Sequence, residues 1–197
     1  MERFENTRQP DWDWWGRLWP TPGATLRRLG VAPEETLAEV GSGNGYFALP
    51  VARIADPAMV YAVDLDERLL DELAHLASAQ GIDTVEPVRG DARELSDLLP
   101  EPVDRVLFAN ALHGVDDPGT LLRQCFESLR PGGQFVVVNW HARPREETAV
   151  LGEPRGPPPE RRMTPEATER VVLDAADFDL VEDVDLPPHH YGLVFER

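Results

Sequence analysis

The sequence predicts an α/β fold built on a mostly parallel sheet of seven strands. Three observations predict it. Short apolar runs of strand length alternate with segments of helical period. The first run ends in a glycine-rich turn, "EVGSGNGYF" at 39–47. The last two runs are separated only by Leu186 to His190, which is too short for a parallel crossover, so the final strand must run antiparallel.

In chain order, "TPGATLRRLG" (21–30) makes a short helix, and "TLAEV" (36–40) is the first strand, ending at the glycines. The helix after them contains Pro50, which costs a backbone hydrogen bond unless it falls in the first turn. "MVYAVD" (59–64) is the second strand. "DERLLDELAHLASAQG" (66–81) follows as a helix, with Leu69, Leu70, Leu73, Leu76 and Ala77 on one stripe and Gly81 ending it. "TVEPVRGD" (84–91) holds the third strand around Val85 to Val88, although Pro87 is unusual inside a strand. "VDRVLFAN" (103–110) is the fourth. "DPGTLLRQCFESLRPGG" (117–133) is a helix with Asp117 as N-cap, Pro118 at N1 and Pro131 with its glycines as the stop. "GQFVVVNW" (133–140) is the fifth strand. "TPEATERVVLDAADF" (164–178) is a helix capped by Thr164, and "FDLVEDVDL" (178–186) and "YGLVFE" (191–196) complete the sheet. The stretch 152–165 is proline-rich, and a loop that long in a compact domain is usually functional or disordered.

Composition bounds the function. A chain of 197 residues with 42% hydrophobic content suits one domain, expected over 31–197, preceded by a Trp-rich cap segment over 1–30. No run of about 18 apolar residues exists, so no membrane span is expected. The N-terminus lacks a basic-then-apolar signal, and the single Cys125 allows no intramolecular disulfide, so a cytoplasmic location is expected. Thirty-six carboxylates face 19 cations, all of them Arg, for a net charge of −17. That field repels a phosphate backbone, and no basic run is longer than a pair such as Arg161-Arg162, so nucleic acid is not an expected partner. A surface so rich in carboxylates predicts a halophilic source, with stability that rises with salt.

The glycine turn admits more than one ligand. The dinucleotide fingerprint G-x-G-x-x-G requires glycine at position 46, where this chain has Tyr46. Gly41, Gly43 and Gly45 are instead spaced G-x-G-x-G. Asp64 ends the next strand 19 residues after Gly45, where a carboxylate can accept from ribose hydroxyls. Glu39 lies just before the turn, and Asp91 ends the third strand. Carboxylates at three adjacent strand ends suit a ligand rich in hydroxyls that also carries an amine. The plainer alternative for Asp64 is a loop carboxylate or the N-cap of the next helix.

"EVGSGNG", "VDLD", "GDA", "NALHGVDDP" and "LRPGGQFVVVNW" together resemble, in order and spacing, the class I S-adenosylmethionine (SAM)-dependent methyltransferases, over about residues 36 to 196. Within them the chain looks most like the ubiquinone/menaquinone and arsenite branches, although one cysteine is a poor match to arsenite chemistry. The resemblance implies a Rossmann-like sheet of order 3-2-1-4-5-7-6 with helices on both faces and the ligand at the carboxyl edge. It implies that Glu39 contacts the methionine amine through backbone or water, and that Gly41, Gly43 and Gly45 line the methionine and ribose. Asp64 would take the ribose hydroxyls and Leu65 would pack on adenine. Asp91 would accept from the adenine amine beside Ala92, and Asn110 would sit near the sulfonium.

On the acceptor side, ligands of such sheets lie beyond the carboxyl ends of the parallel strands. This places His113 after the fourth strand, Trp140, His141 and Arg143 after the fifth, and His189, His190 and Tyr191 at the last turn. His113, His141 and His189 are the catalytic candidates. Arg143 and Arg145 have a plainer role available, pairing with Glu146 and Glu147 at the surface. The histidines lack metal-ligand spacing, so no metal is expected. Cys125 falls on an inward stripe and reads as core. "DWDWWGRLWP" (11–20) is either a packed helix or a lid over the ligand. The functions that fit are a SAM-dependent methyltransferase with a small-molecule acceptor, a non-catalytic SAM-binding sensor or partner subunit, and, less well, a nicotinamide-dependent oxidoreductase.

Overall fold

The computed structural model describes residues 12–56 and 58–197, so the first eleven residues of the expected cap lie outside the described residues. Two short helices, α1 (Trp12–Leu18) and α2 (Pro22–Arg28), precede the sheet. Then follow β1 (Leu37–Val40), α3 (Ala48–Ala55), β2 (Val60–Asp64), α4 (Glu67–Ala79), β3 (Val85–Arg89), α5 (Leu95–Leu98), β4 (Val103–Ala109) and α6 (Pro118–Ser128). The chain ends with β5 (Leu129–Trp140), a small hairpin of β6 (Ala149–Val150) and β7 (Glu153–Pro154), α7 (Pro165–Ala175), β8 (Asp179–Leu186) and β9 (His190–Glu196).

The main sheet has order β3-β2-β1-β4-β5-β9-β8, with β9 antiparallel to both of its neighbours, as expected for a last strand inserted backwards. Alternate residues of each strand enter two cores. Leu37, Val136 and Val194 face α1 to α4, while Ala38, Val137 and Phe195 face α5 to α7. Among the described residues no helix is long and apolar enough to cross a membrane.

Local chemistry sets the boundaries. Pro50 is the third residue of α3, where its missing N–H has no intrahelical acceptor to lose. Asp66, Asp117 and Thr164 cap α4, α6 and α7 through their side chains. Pro87 is tolerated because β3 is an edge strand paired only with β2. One boundary differs from expectation. α6 stops at Ser128, and Leu129 already pairs with Val103, so Pro131, Gly132 and Gly133 form a bulge inside β5 before pairing resumes at Gln134. Gly132 takes φ +77° there, and a Cβ on Gly133 would meet the Arg130 carbonyl at 2.9 Å, so this bulge needs its glycines.

Arg105, 3% exposed on β4, binds the entry to the sheet together. It donates twice to the Glu35 carboxylate at 3.0 Å, to the carbonyls of Leu29 and Gly30, and to Gln134 at 2.8 Å. These bonds fix the exit of α2 against β4 and β5.

Candidate active site

The glycine turn leaves β1 with Gly41 and Ser42 donating to the Val63 carbonyl, at 2.8 and 3.1 Å. Gly41, Gly43 and Gly45 all adopt positive φ, at 69°, 55° and 89°, so the turn uses conformations that glycine reaches without a Cβ clash. Asp64 sits at the end of β2 beside it. One carboxylate oxygen accepts the Gly43 amide at 2.9 Å and the other accepts the Asp66 amide at 2.9 Å.

Glu39 is 2% exposed, and its Oε2 is buried with no hydrogen-bond partner among the described residues. Burial, and then the nearby Asp64 charge, raise its pKa well above the ordinary carboxylate range. Asn110, just past β4, occupies the left-handed region at φ 58°. Its N–H donates to the Val138 carbonyl, yet both polar atoms of its side chain are buried without a partner among the described residues. Asp91 ends the segment after β3 and accepts the amide, Nε and Nη2 of Arg93, the last at 2.6 Å. An adenine amine would therefore share Asp91 with Arg93. Leu65 is 51% exposed, an unusual state for a leucine beside so many buried groups.

These residues line one cavity of about 890 Å³, near the upper end of the usual range for small-ligand sites, about 300–1,000 Å³. Glu39, Gly41, Gly43, Asp64, Leu65, Asp91, Ala92 and Asn110 all face it. Gly45 does not line it. A Cβ there would meet Leu73 at 3.0 Å and Leu49 at 3.2 Å, so its role is to let α4 pack against the turn.

The far half of the cavity is built by other segments. His113 lines it from a 3-10 turn (Leu112–Gly114). Burial, and then the Arg162 charge, lower its pKa to about 4, so its imidazole is neutral at pH 7, with Nδ1 buried and without a partner. Trp14 and Trp15 of α1 line it, as do Trp140 and Arg145, Arg155 and Arg161 of the loop that follows β5. Arg155 lies over the Trp14 ring at 5.1 Å, so helix and loop meet across the opening.

That loop is the proline-rich stretch, and it is ordered by the buried Arg162. Its guanidinium donates to the carbonyls of Pro157, Arg143 and Arg155 and to the Thr148 hydroxyl, and it sits 5.5 Å over the Trp140 ring. The expected surface pairs of Arg143 and Arg145 with Glu146 and Glu147 do not form. Arg143 donates instead to the Pro188 carbonyl.

The structure separates the three histidine candidates. His113 reaches the cavity, whereas His141 and His189 do not line it. His141 Nε2 sits 3.3 Å from Asp185, and His189 stacks on Trp140 at 12° and 5.9 Å between ring centres. Trp140 fills the place at the edge that the sequence leaves open to these two. His190 is buried between Trp19 and Trp140, and Tyr191 is fully buried against Thr168, so the "PPHHY" turn is packing rather than a mouth. Cys125 is fully buried and its thiol pKa is raised by that burial. Among the described residues no group of His, Cys, Asp or Glu is placed to hold a metal.

Sequence reasoning missed Arg155 as a lining residue, treated Arg161 only as half of a weak basic pair, and used Tyr46 only to exclude a dinucleotide. Tyr46 lines the cavity and donates its hydroxyl to the Trp19 carbonyl at 2.9 Å. The one available signal was the length of the proline-rich loop.

Comparison with known proteins agrees with this geometry. A family profile described as "Methyltransferase domain" matches residues 38–137. The chain is 29% identical over 126 residues to the tRNA 5-carboxymethoxyuridine methyltransferase of Escherichia coli K12, covering 64% of this chain and 47% of that protein. It is 35% identical over 107 residues to the ubiquinone biosynthesis O-methyltransferase of Caulobacter vibrioides, covering 52% and 40%. It thus spans about half the length of the curated relatives it matches. A SAM-dependent methyltransferase from Aquifex aeolicus superposes with TM-score 0.78 over 92% of both chains at 20% identity, a likeness of fold. The matched segment runs from β1 through β5 and contains the turn, Asp64, Asp91 and Asn110, and the chain belongs to the methyltransferase-domain family.

Proposed function

We propose that the chain transfers a methyl group from SAM to a small-molecule acceptor held between His113, Trp140 and the Arg162-ordered loop. One observation carries this: Glu39 Oε2 and both side-chain atoms of Asn110 are buried without partners at the end of a cavity that also holds Asp64 and an exposed Leu65. Buried polar groups left unsatisfied are costly, and a ligand with an amine, hydroxyls and a flat ring would satisfy them. The residues present therefore fit SAM.

When bound, SAM supplies a sulfonium-activated methyl carbon. The chain's own work is positioning and exclusion of water. Asp64 accepts ribose hydroxyls on the lone pairs left free by Gly43 and Asp66. Glu39 gains from a cationic amine beside it, because that charge offsets the repulsion from Asp64. The neutral His113 imidazole, held unprotonated by burial and then by the Arg162 charge, would orient the acceptor through a hydrogen bond. Trp14 and Trp15 place α1 as part of a cap over both ligands.

A net charge of −17 supports a small acceptor over a nucleic acid, even though one matched relative is named for tRNA. Mass spectrometry of ligand released from purified protein, then calorimetry with SAM and NAD, tests the cofactor. Binding of NAD without SAM would sink the proposal. S-adenosylhomocysteine formation across a metabolite panel, with tRNA included, tests the acceptor class. Tryptophan fluorescence that stays unchanged while calorimetry records SAM binding would refute the cap.

A further inference from the structure

The cavity is electrically divided. Glu39, Asp64, Asp66 and Asp91, the last paired with Arg93, lie on its β1–β3 side, and Arg145, Arg155 and Arg161 on the side of the loop after β5. Such a basic surface is unexpected in a chain with 36 carboxylates against 19 arginines. Among the described residues, no carboxylate forms an ion pair with Arg145, Arg155 or Arg162. Acids are close at hand in sequence, yet Glu146, Glu147, Glu153 and Glu160 are all exposed. Arg162 is 7% exposed, and among the described residues its guanidinium donates to four neutral oxygens and pairs with no carboxylate. Arg155 Nε is buried and has no acceptor among the described residues. Keeping a buried cation without a counter-ion is strongly unfavourable unless an anion visits the site.

Resting on the methyl-transfer reading above, we propose that the acceptor is a small organic acid. Its carboxylate is held by Arg145 and Arg155 above buried Arg162, and its apolar body lies against Trp14 and Trp140. Guanidinium groups suit this task because their planar forks match a carboxylate in two bonds. His113 lines the same end of the cavity, kept neutral first by burial and then by the Arg162 charge. The rival claimant for the arginines is the methionine carboxylate of SAM itself, and the test separates the two.

The probes are 4-hydroxybenzoate, 4-hydroxyphenylacetate and 3,4-dihydroxybenzoate, each beside its methyl ester, titrated calorimetrically into the full chain saturated with S-adenosylhomocysteine. At least one acid should bind about tenfold or more tightly than its ester, and Arg145→Gln and Arg155→Gln should each weaken it about tenfold while binding of S-adenosylhomocysteine stays unchanged. Unchanged cofactor affinity also shows that each variant is folded. Esters that bind as tightly as acids, or acids that fail to bind a protein that takes up S-adenosylhomocysteine, overturn this inference alone. A protein that binds neither overturns the methyl-transfer reading and this inference with it. If Arg155→Gln weakens SAM but not decarboxylated SAM, the arginine serves the cofactor and the inference fails.

Discussion

The carboxylate of Asp64, at the end of β2, accepts the amide of Gly43 at 2.9 Å, so the second strand holds the glycine turn of the first in place. Asp64→Ala should therefore remove both the ribose acceptor and the brace of the turn. Affinity for SAM should fall by about 1.5–3 kcal/mol, the usual value of charge-assisted hydrogen bonds. Calorimetry of the variant checks it, and unchanged affinity would remove Asp64 from the site.

Gly156 carries the loop past Trp140. Its φ is +87°, and an added Cβ would lie 2.8 Å from the ring, which is no flexible tail. Gly156→Ala should cost about 1–3 kcal/mol in urea unfolding, through backbone strain and overpacking together. It should weaken the acceptor more than SAM, because only the acceptor half of the cavity is built on this loop.

His113 links the site to pH. Its folded pKa is about 4, lowered by burial and then by Arg162, against about 6.5 when unfolded. Between these values the unfolded state binds the extra proton. The stability tied to neutral His113 is thus complete above about pH 6.5 and is lost as pH falls towards about 4. Relative to His113→Gln, the natural chain should lose about 2 kcal/mol across that window. Burial lowers His189 and His190 in the same direction, so the difference between the two chains, rather than either curve alone, isolates His113. Urea midpoints at pH 7.5, 5.5 and 4.5 would show it, and parallel curves would contradict it.

The net charge of −17 predicts a response to salt. Screening shortens from about 10 Å at 0.1 M to about 3 Å at 1 M, which relieves repulsion among exposed carboxylates. The melting temperature should rise from dilute buffer to molar KCl. A flat or falling melting temperature would count against a halophilic design.

Much of this was legible from residues alone because its signals are local. The continuous apolar run in "GQFVVVNW", the capping residues Asp117 and Thr164, and the short 186–190 link each act over a few residues, and the fifth strand, the two caps and the antiparallel last strand appear where expected. The bulge at Pro131 was misread because proline and paired glycines mark a helix stop equally well. His141 and His189 were grouped with His113 because topology brings strand ends to one edge but does not say which ring stands in front.

By itself, the sequence determined the succession of strands and helices, the antiparallel last strand, the glycine turn and the carboxylates at the next strand ends, since spacing along consecutive βα units sets these, while the order of strands in the sheet followed from the family resemblance. Only the tertiary structure decided the acceptor end. There α1, the 3-10 turn at His113 and the loop after β5 meet from distant parts of the chain, and burial of Arg162 beneath Trp140 turns a proline-rich stretch into a positively charged wall. No local pattern encodes that meeting, because its driving forces are the burial of three tryptophans and the need of one guanidinium for neutral oxygens.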